Sequence, residues 1–101
     1  MTAAVALLAT VAIAQPTLVH RYSFNDTSGS TTFTDSVGGA NWAGTLQGSA
    51  VLDGSMLQLD GQGSFATVPE GIVHSYTQVT IEFWVSFGPD NPFWTRTFAF
   101  W

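Results

Sequence analysis

The sequence predicts an all-β protein built as an antiparallel sheet sandwich. Three observations lead there. Residues 79–87 read Val-Thr-Ile-Glu-Phe-Trp-Val-Ser-Phe, with Ile81, Phe83, Val85 and Phe87 on one face of an extended chain and Thr80, Glu82, Trp84 and Ser86 on the other. After residue 14 no stretch carries a helical period, and short apolar runs alternate with Gly, Ser, Asp and Asn. A strand apolar on one side, with Glu and Trp on the other, suits a sheet that packs one face into a core and turns the other to a groove or to water.

The first 14 residues stand apart. They form a small-residue, apolar run ending in Ala12-Ile13-Ala14, an A-x-A pattern that places a signal-peptide cut before Gln15. No Lys or Arg precedes the run, so the usual positive start is missing, and the run falls short of the ~20 residues that span a bilayer. Secretion is therefore expected, with no membrane insertion after cleavage, and residues 15–101 form the mature segment. Roughly 87 residues are few for a sandwich, which often needs about 200, and no cysteine is present to reinforce a small core. Residues 95–101 read as a strand with no turn after it. The expectation is an N-terminal part of a longer domain, marginal or aggregation-prone alone because its inner face lacks a partner sheet.

Charge narrows the partners. The chain has no Lys, two Arg (Arg21 and Arg96), five Asp and two Glu, for a net charge of −5. Polyanions bind clustered cations, so nucleic acid is not an expected partner, and an anionic membrane surface is disfavoured for the same reason.

Along the chain, residues 18–24 read as the first strand, with Leu18, His20, Tyr22 and Phe24 on one face. Residues 25–32 form a polar turn. Asp35-Ser36-Val37-Gly38-Gly39 forms another, where the Asp side chain can accept from nearby backbone amides. Residues 41–46 and 50–52 are weak strands. Asp53-Gly54 is a tight turn leading to a return strand over 56–59, which makes a hairpin. Asp60-Gly61-Gln62-Gly63 precedes a strand over 64–68 that Pro69 ends. Residues 71–76 suit a single helical turn, and Gly88-Pro89-Asp90-Asn91-Pro92 closes the strong strand.

Taken in order, Leu18-Val19-His20-Arg21-Tyr22-Ser23-Phe24, Asp35-Ser36-Val37-Gly38, Gly44-Thr45-Leu46, Leu57-Gln58-Leu59-Asp60-Gly61, Phe65-Ala66-Thr67-Val68-Pro69 and Thr80-Ile81-Glu82-Phe83-Trp84-Val85 resemble the opening half of a laminin-G-like, concanavalin A-like jelly-roll domain. The resemblance spans about residues 17–101. It implies two curved antiparallel sheets and an extracellular or cell-surface module that recognises glycans or proteins, in some members with a structural Ca²⁺. The binding loops of the family's second half have no counterpart in this sequence.

Four residues are candidates for chemistry. Related sandwich glycosidases carry two or three carboxylates on alternate residues of one strand, and glycoside hydrolysis needs a pair. Here the strand holds Glu82 alone, so no catalytic residue is assigned and Glu82 is expected to face a groove. Trp84 shares its face and suits stacking on the C–H surface of a sugar; Trp42 and Trp94, near turns, are less defined. Asp35 is the candidate calcium ligand, although no Asp-x-Asp-x-Asp-Gly loop occurs, and Asp26, Asp53 and Asp60 suit turn-building equally well. Asn25-Asp26-Thr27 is a glycosylation sequon, relevant in a eukaryotic source. His20 and His74 lack metal-ligand spacing, and no nucleophilic Ser or Cys setting occurs. The leading expectation is a secreted, non-catalytic module that binds carbohydrate or protein. The alternatives are the leading part of a secreted glycosidase or sialidase-type enzyme, with its catalytic residues elsewhere, and a sandwich that serves only as a spacer.

Overall fold

A computed structural model describes residues 16–89 and 97–100. The described chain is β-rich, with five short strands in two small antiparallel sheets: β1 (Thr32–Phe33), β2 (Gly44–Gln47), β3 (Val51–Leu52), β4 (Leu57–Gln58) and β5 (Phe65–Thr67). One sheet has the order β1-β2-β5, and β3 and β4 form the other. The expected leader over residues 1–14, Trp94 and the closing Asp90-Asn91-Pro92 lie outside the described residues.

The register follows from the turns. Asp53 Oδ1 accepts from the amides of Ser55 and Met56, and Oδ2 accepts from Gln58 Nε2 at 2.8 Å. This side-chain turn reverses the chain so that Val51 pairs with Gln58 and Leu52 with Leu57, the expected hairpin. Asp60 does similar work before β5. It accepts from the Gln62 amide and the Ser64 hydroxyl, and the Ser49 hydroxyl also donates to it. β5 then pairs with β2, Thr45 opposite Thr67 and Gln47 opposite Phe65.

The fully buried side chains among the described residues are Phe33, Leu52 and Asp35, at 2%, 0% and 1% exposure. Tyr22 meets Phe33 edge-on at 5.3 Å between ring centroids, and Phe24 lies against it at 5.0 Å. Phe24 holds φ at 54°, a left-handed conformation unfavourable for a bulky residue. Its ring contact with Phe33 offsets that strain. Gly29 N–H donates to the Leu52 carbonyl at 2.9 Å and so ties the loop before β1 to the hairpin.

Several expectations need correction. Residues 79–87 form no strand: the chain there joins neither sheet. Ile81, Phe83, Val85 and Phe87, expected in a core, are 42–53% exposed. Alternation specifies which side chains share a face, but a strand exists only where a second backbone supplies its hydrogen bonds. The expected first strand over 18–24 contributes one bridge, Tyr22 to Asp35. Its alternation holds in part, since His20, Tyr22 and Phe24 are half-buried while Val19, Arg21 and Ser23 are exposed. Thr32 belongs to β1 rather than to a turn, and residues 40–42 form a short 3-10 helix ahead of β2. Residues 71–76, expected as a helical turn, form two separate tight turns instead, closed by His74 N–H to Gly71 and Tyr76 N–H to Val73. Residues 97–100 pair with no strand, and Phe98 meets Phe100 edge-on at 4.8 Å.

Candidate functional site

Two places concentrate chemistry. The first is a buried knot around Asp35. The Asp-Ser-Val-Gly turn folds back so that Asp35 Oδ1 accepts from the amides of Val37 (3.0 Å) and Gly38 (2.7 Å), the local side-chain turn that this composition favours. The same oxygen accepts from the Arg21 amide at 3.0 Å, and Oδ2 accepts from His20 Nδ1 at 2.6 Å. Ser36 N–H closes the pairing onto the Arg21 carbonyl. His20 lies edge-on to Trp42 at 4.8 Å, and the Tyr22 hydroxyl donates to the Trp42 carbonyl at 2.7 Å.

The electrostatics follow from this geometry. Burial pushes the Asp35 pKa up, but the donors from Arg21, Gly38, His20 and Val37 outweigh it and bring the value down to about 2. An ionised carboxylate only accepts, so the proton on His20 Nδ1 is the donor to Asp35. Burial, with the Asp35 charge adding to it, raises the Tyr22 phenol to about 12.

An aspartate holding an imidazole is two-thirds of a catalytic triad. The third part is missing here: among the described residues no hydroxyl is hydrogen-bonded to His20, and the Ser36 hydroxyl is turned to the Arg21 carbonyl. Asp35 is also ill suited to calcium. Its buried oxygens already hold four donors, and no group of three or more His, Asp or Glu side chains gathers among the described residues. The other turn aspartates act in the same way, with Asp26 accepting from the amide and hydroxyl of Thr34. The knot ties the first segment to the turn after β1. Its His20 and Trp42 components were not legible in the local pattern, because their meeting depends on a contact across 15 to 22 residues.

The second place is the exposed run 79–87. Trp84 is fully exposed at 103%, and Ile81, Glu82, Phe83 and Trp84 line a shallow, open hollow. Glu82 is exposed, two positions before Trp84 in the chain. Sequence reading set Glu82 and Trp84 on an outer face and Ile81 and Phe83 on an inner one; all four are exposed, so the run has no buried face. Asn25 is exposed, as an acceptor for glycan attachment must be. Among the described residues no helix is long and apolar enough to cross a membrane.

No family model matches the chain, no curated protein matches it, and no solved structure matches its fold.

Proposed function

We propose that the chain is a secreted, non-catalytic binding module that holds a carbohydrate, or an extracellular protein, through the segment around Trp84. The observation that carries this reading is the complete exposure of the Trp84 indole. Indoles are large apolar surfaces that proteins usually cover, and exposed ones are enriched where a partner supplies the cover. Glu82 adds a carboxylate within the same short run. A sugar offers both complements: a C–H face for the ring and hydroxyl donors for the acid. In residues 79–87 Glu82 is the one acid, whereas glycoside hydrolysis requires two, which favours binding over cleavage.

The small antiparallel sheets and the ordered motifs support a concanavalin A-like jelly-roll as the parent architecture. The test is a glycan-array comparison of the full chain with Trp84→Ala. Loss of a stacked indole is expected to cut retention about two- to tenfold, since an aromatic contact is worth roughly 0.5–1.5 kcal/mol beyond its area. The melting temperature is expected to stay put, because the indole has no covering neighbour. Equal retention by the variant removes Trp84 from the site.

A further inference from the structure

We propose that residues 79–87 are a self-recognition strand, pairing antiparallel with the same segment of a second copy about a two-fold axis through Phe83. The segment joins neither sheet, and no backbone hydrogen bond links it to another described residue. Its backbone donors and acceptors are thus available along nine residues, and its apolar side chains are about half exposed. Proteins normally guard a segment able to pair as a strand with Lys, Pro or a bulge. This run contains no Lys, no Pro and no Gly.

The occupant is argued from the order of the residues. Antiparallel pairing centred on Phe83 sets Val79 opposite Phe87, Thr80 opposite Ser86, Ile81 opposite Val85, and Glu82 opposite Trp84. Each residue thereby meets one of compatible chemistry. Small hydroxyls face each other, β-branched side chains face each other, and Phe83 meets its own copy. Such cross-strand pairs stabilise a ladder. Charge decides the direction. Parallel in-register pairing would stack Glu82 on Glu82, whereas the antiparallel register sets each carboxylate beside the other copy's indole. An isologous two-fold contact of this kind closes on itself and does not propagate along the pairing edge. It leaves both faces of the new ribbon open, so Trp84 stays available to a ligand. A nine-residue ladder is smaller than a standard interface, which puts the expected dissociation constant in the micromolar range or weaker.

The absence of cysteine makes the test clean. In the full chain, Phe83→Cys places two thiols directly opposite, about 4.5–5.5 Å apart between Cα atoms, within disulfide reach. Val79→Cys places its two thiols roughly 27 Å apart along the ribbon, out of reach. Under mild oxidation Phe83→Cys is expected to form a covalent dimer, and so is a mixture of Val79→Cys with Phe87→Cys. Val79→Cys alone should form at least tenfold less. Sedimentation of the unmodified chain should show a concentration-dependent monomer–dimer equilibrium, and Trp84→Glu, by opposing Glu82 with a second acid, should raise its dissociation constant at least tenfold. Three results would overturn the proposal. One is equal cross-linking of all the variants, as parallel stacking or unspecific association gives. Another is a monomer at every concentration. The last is a monomer whose amides over 79–87 resist exchange, which places the strand's partner within its own chain. None of these readouts depends on a glycan, so the outcome is separate from that of the array.

Discussion

The ring of Phe33 fills the space where a Cβ on Gly44, its partner across β1 and β2, would stand. Gly44 is buried, and it is needed here for room rather than for an unusual backbone angle. The ring can lie over the strand only because the opposing residue has no side chain. Gly44→Ala is therefore expected to push Phe33 from the core and to cost on the order of 2–3 kcal/mol, the scale of overpacking. A shift of the urea midpoint to lower concentration measures it. Gly44→Ala combined with Phe33→Leu should cost less than the sum of the single changes, because the two share one space.

Asp35 gives the chain an acid-sensitive fastening. Its folded-state pKa of about 2 lies below the ordinary 3.8, so the ionised form is favoured by folding. The stability this supplies is complete above about pH 4 and is lost as pH falls through 4 towards 2. Converted, the shift is worth roughly 2 kcal/mol. Asp35→Asn should remove that contribution at neutral pH and leave buried donors poorly matched, at a total cost of about 2–4 kcal/mol. Denaturation at a series of pH values checks both points: the unmodified chain should weaken between pH 4 and 2, and the variant should weaken less over that range, keeping only the part that Asp26, Asp53 and Asp60, whose carboxyls are also held low by their turn donors, contribute.

Tyr22 gives the opposite sign at the alkaline end. Burial, then the Asp35 charge, raises its phenol from 10.0 to about 12, so folding favours the protonated form. The corresponding stability is present below pH 10 and disappears as pH rises from 10 to 12. Phenolate absorbance should include a component near pH 12 that Tyr22→Phe abolishes. The same substitution removes the hydrogen bond to the Trp42 carbonyl and should cost about 1 kcal/mol at neutral pH.

What could be read from the sequence divides by distance along the chain. The hairpin at Asp53-Gly54, the turn at Asp60 and the Asp35 turn were legible, since a side chain there bonds a backbone group two or three residues away, and a local reversal was legible at 71–76, though it forms two tight turns and not a helical one. The inward set His20, Tyr22 and Phe24 was legible from alternation. β1 was hidden because Thr32–Phe33 is made a strand by pairing with Thr45 and Gly44, thirteen and eleven residues on, and carries no pattern of its own. The strongest pattern, over 79–87, misled for the same reason: periodicity marks a face, and pairing requires a neighbour. Alternation does not separate two faces there, because every residue from 79 to 87 is exposed, Ile81 and Phe83 along with Glu82 and Trp84.

The knot around Asp35 also predicts an asymmetry between two glycines. A Cβ on Gly38 would run into Asp35 Oδ2 and come within 2.7 Å of His20 Nδ1, while a Cβ on Gly88 would meet nothing. Asp35 is buried and held by four donors, so it cannot swing aside cheaply. Gly38→Ala should break the bond between His20 and Asp35, which frees a carboxylate inside the chain and costs on the order of 2–4 kcal/mol. Gly88→Ala should leave stability within about 0.5 kcal/mol of the unmodified chain. The imidazole resonances of His20 supply the decisive reading. In Gly38→Ala they should move to those of a histidine without a carboxylate partner, as in Asp35→Asn, and in Gly88→Ala they should stay where they are. A Gly38→Ala chain that kept both its stability and its His20 resonances would mean that the turn has room which this packing denies.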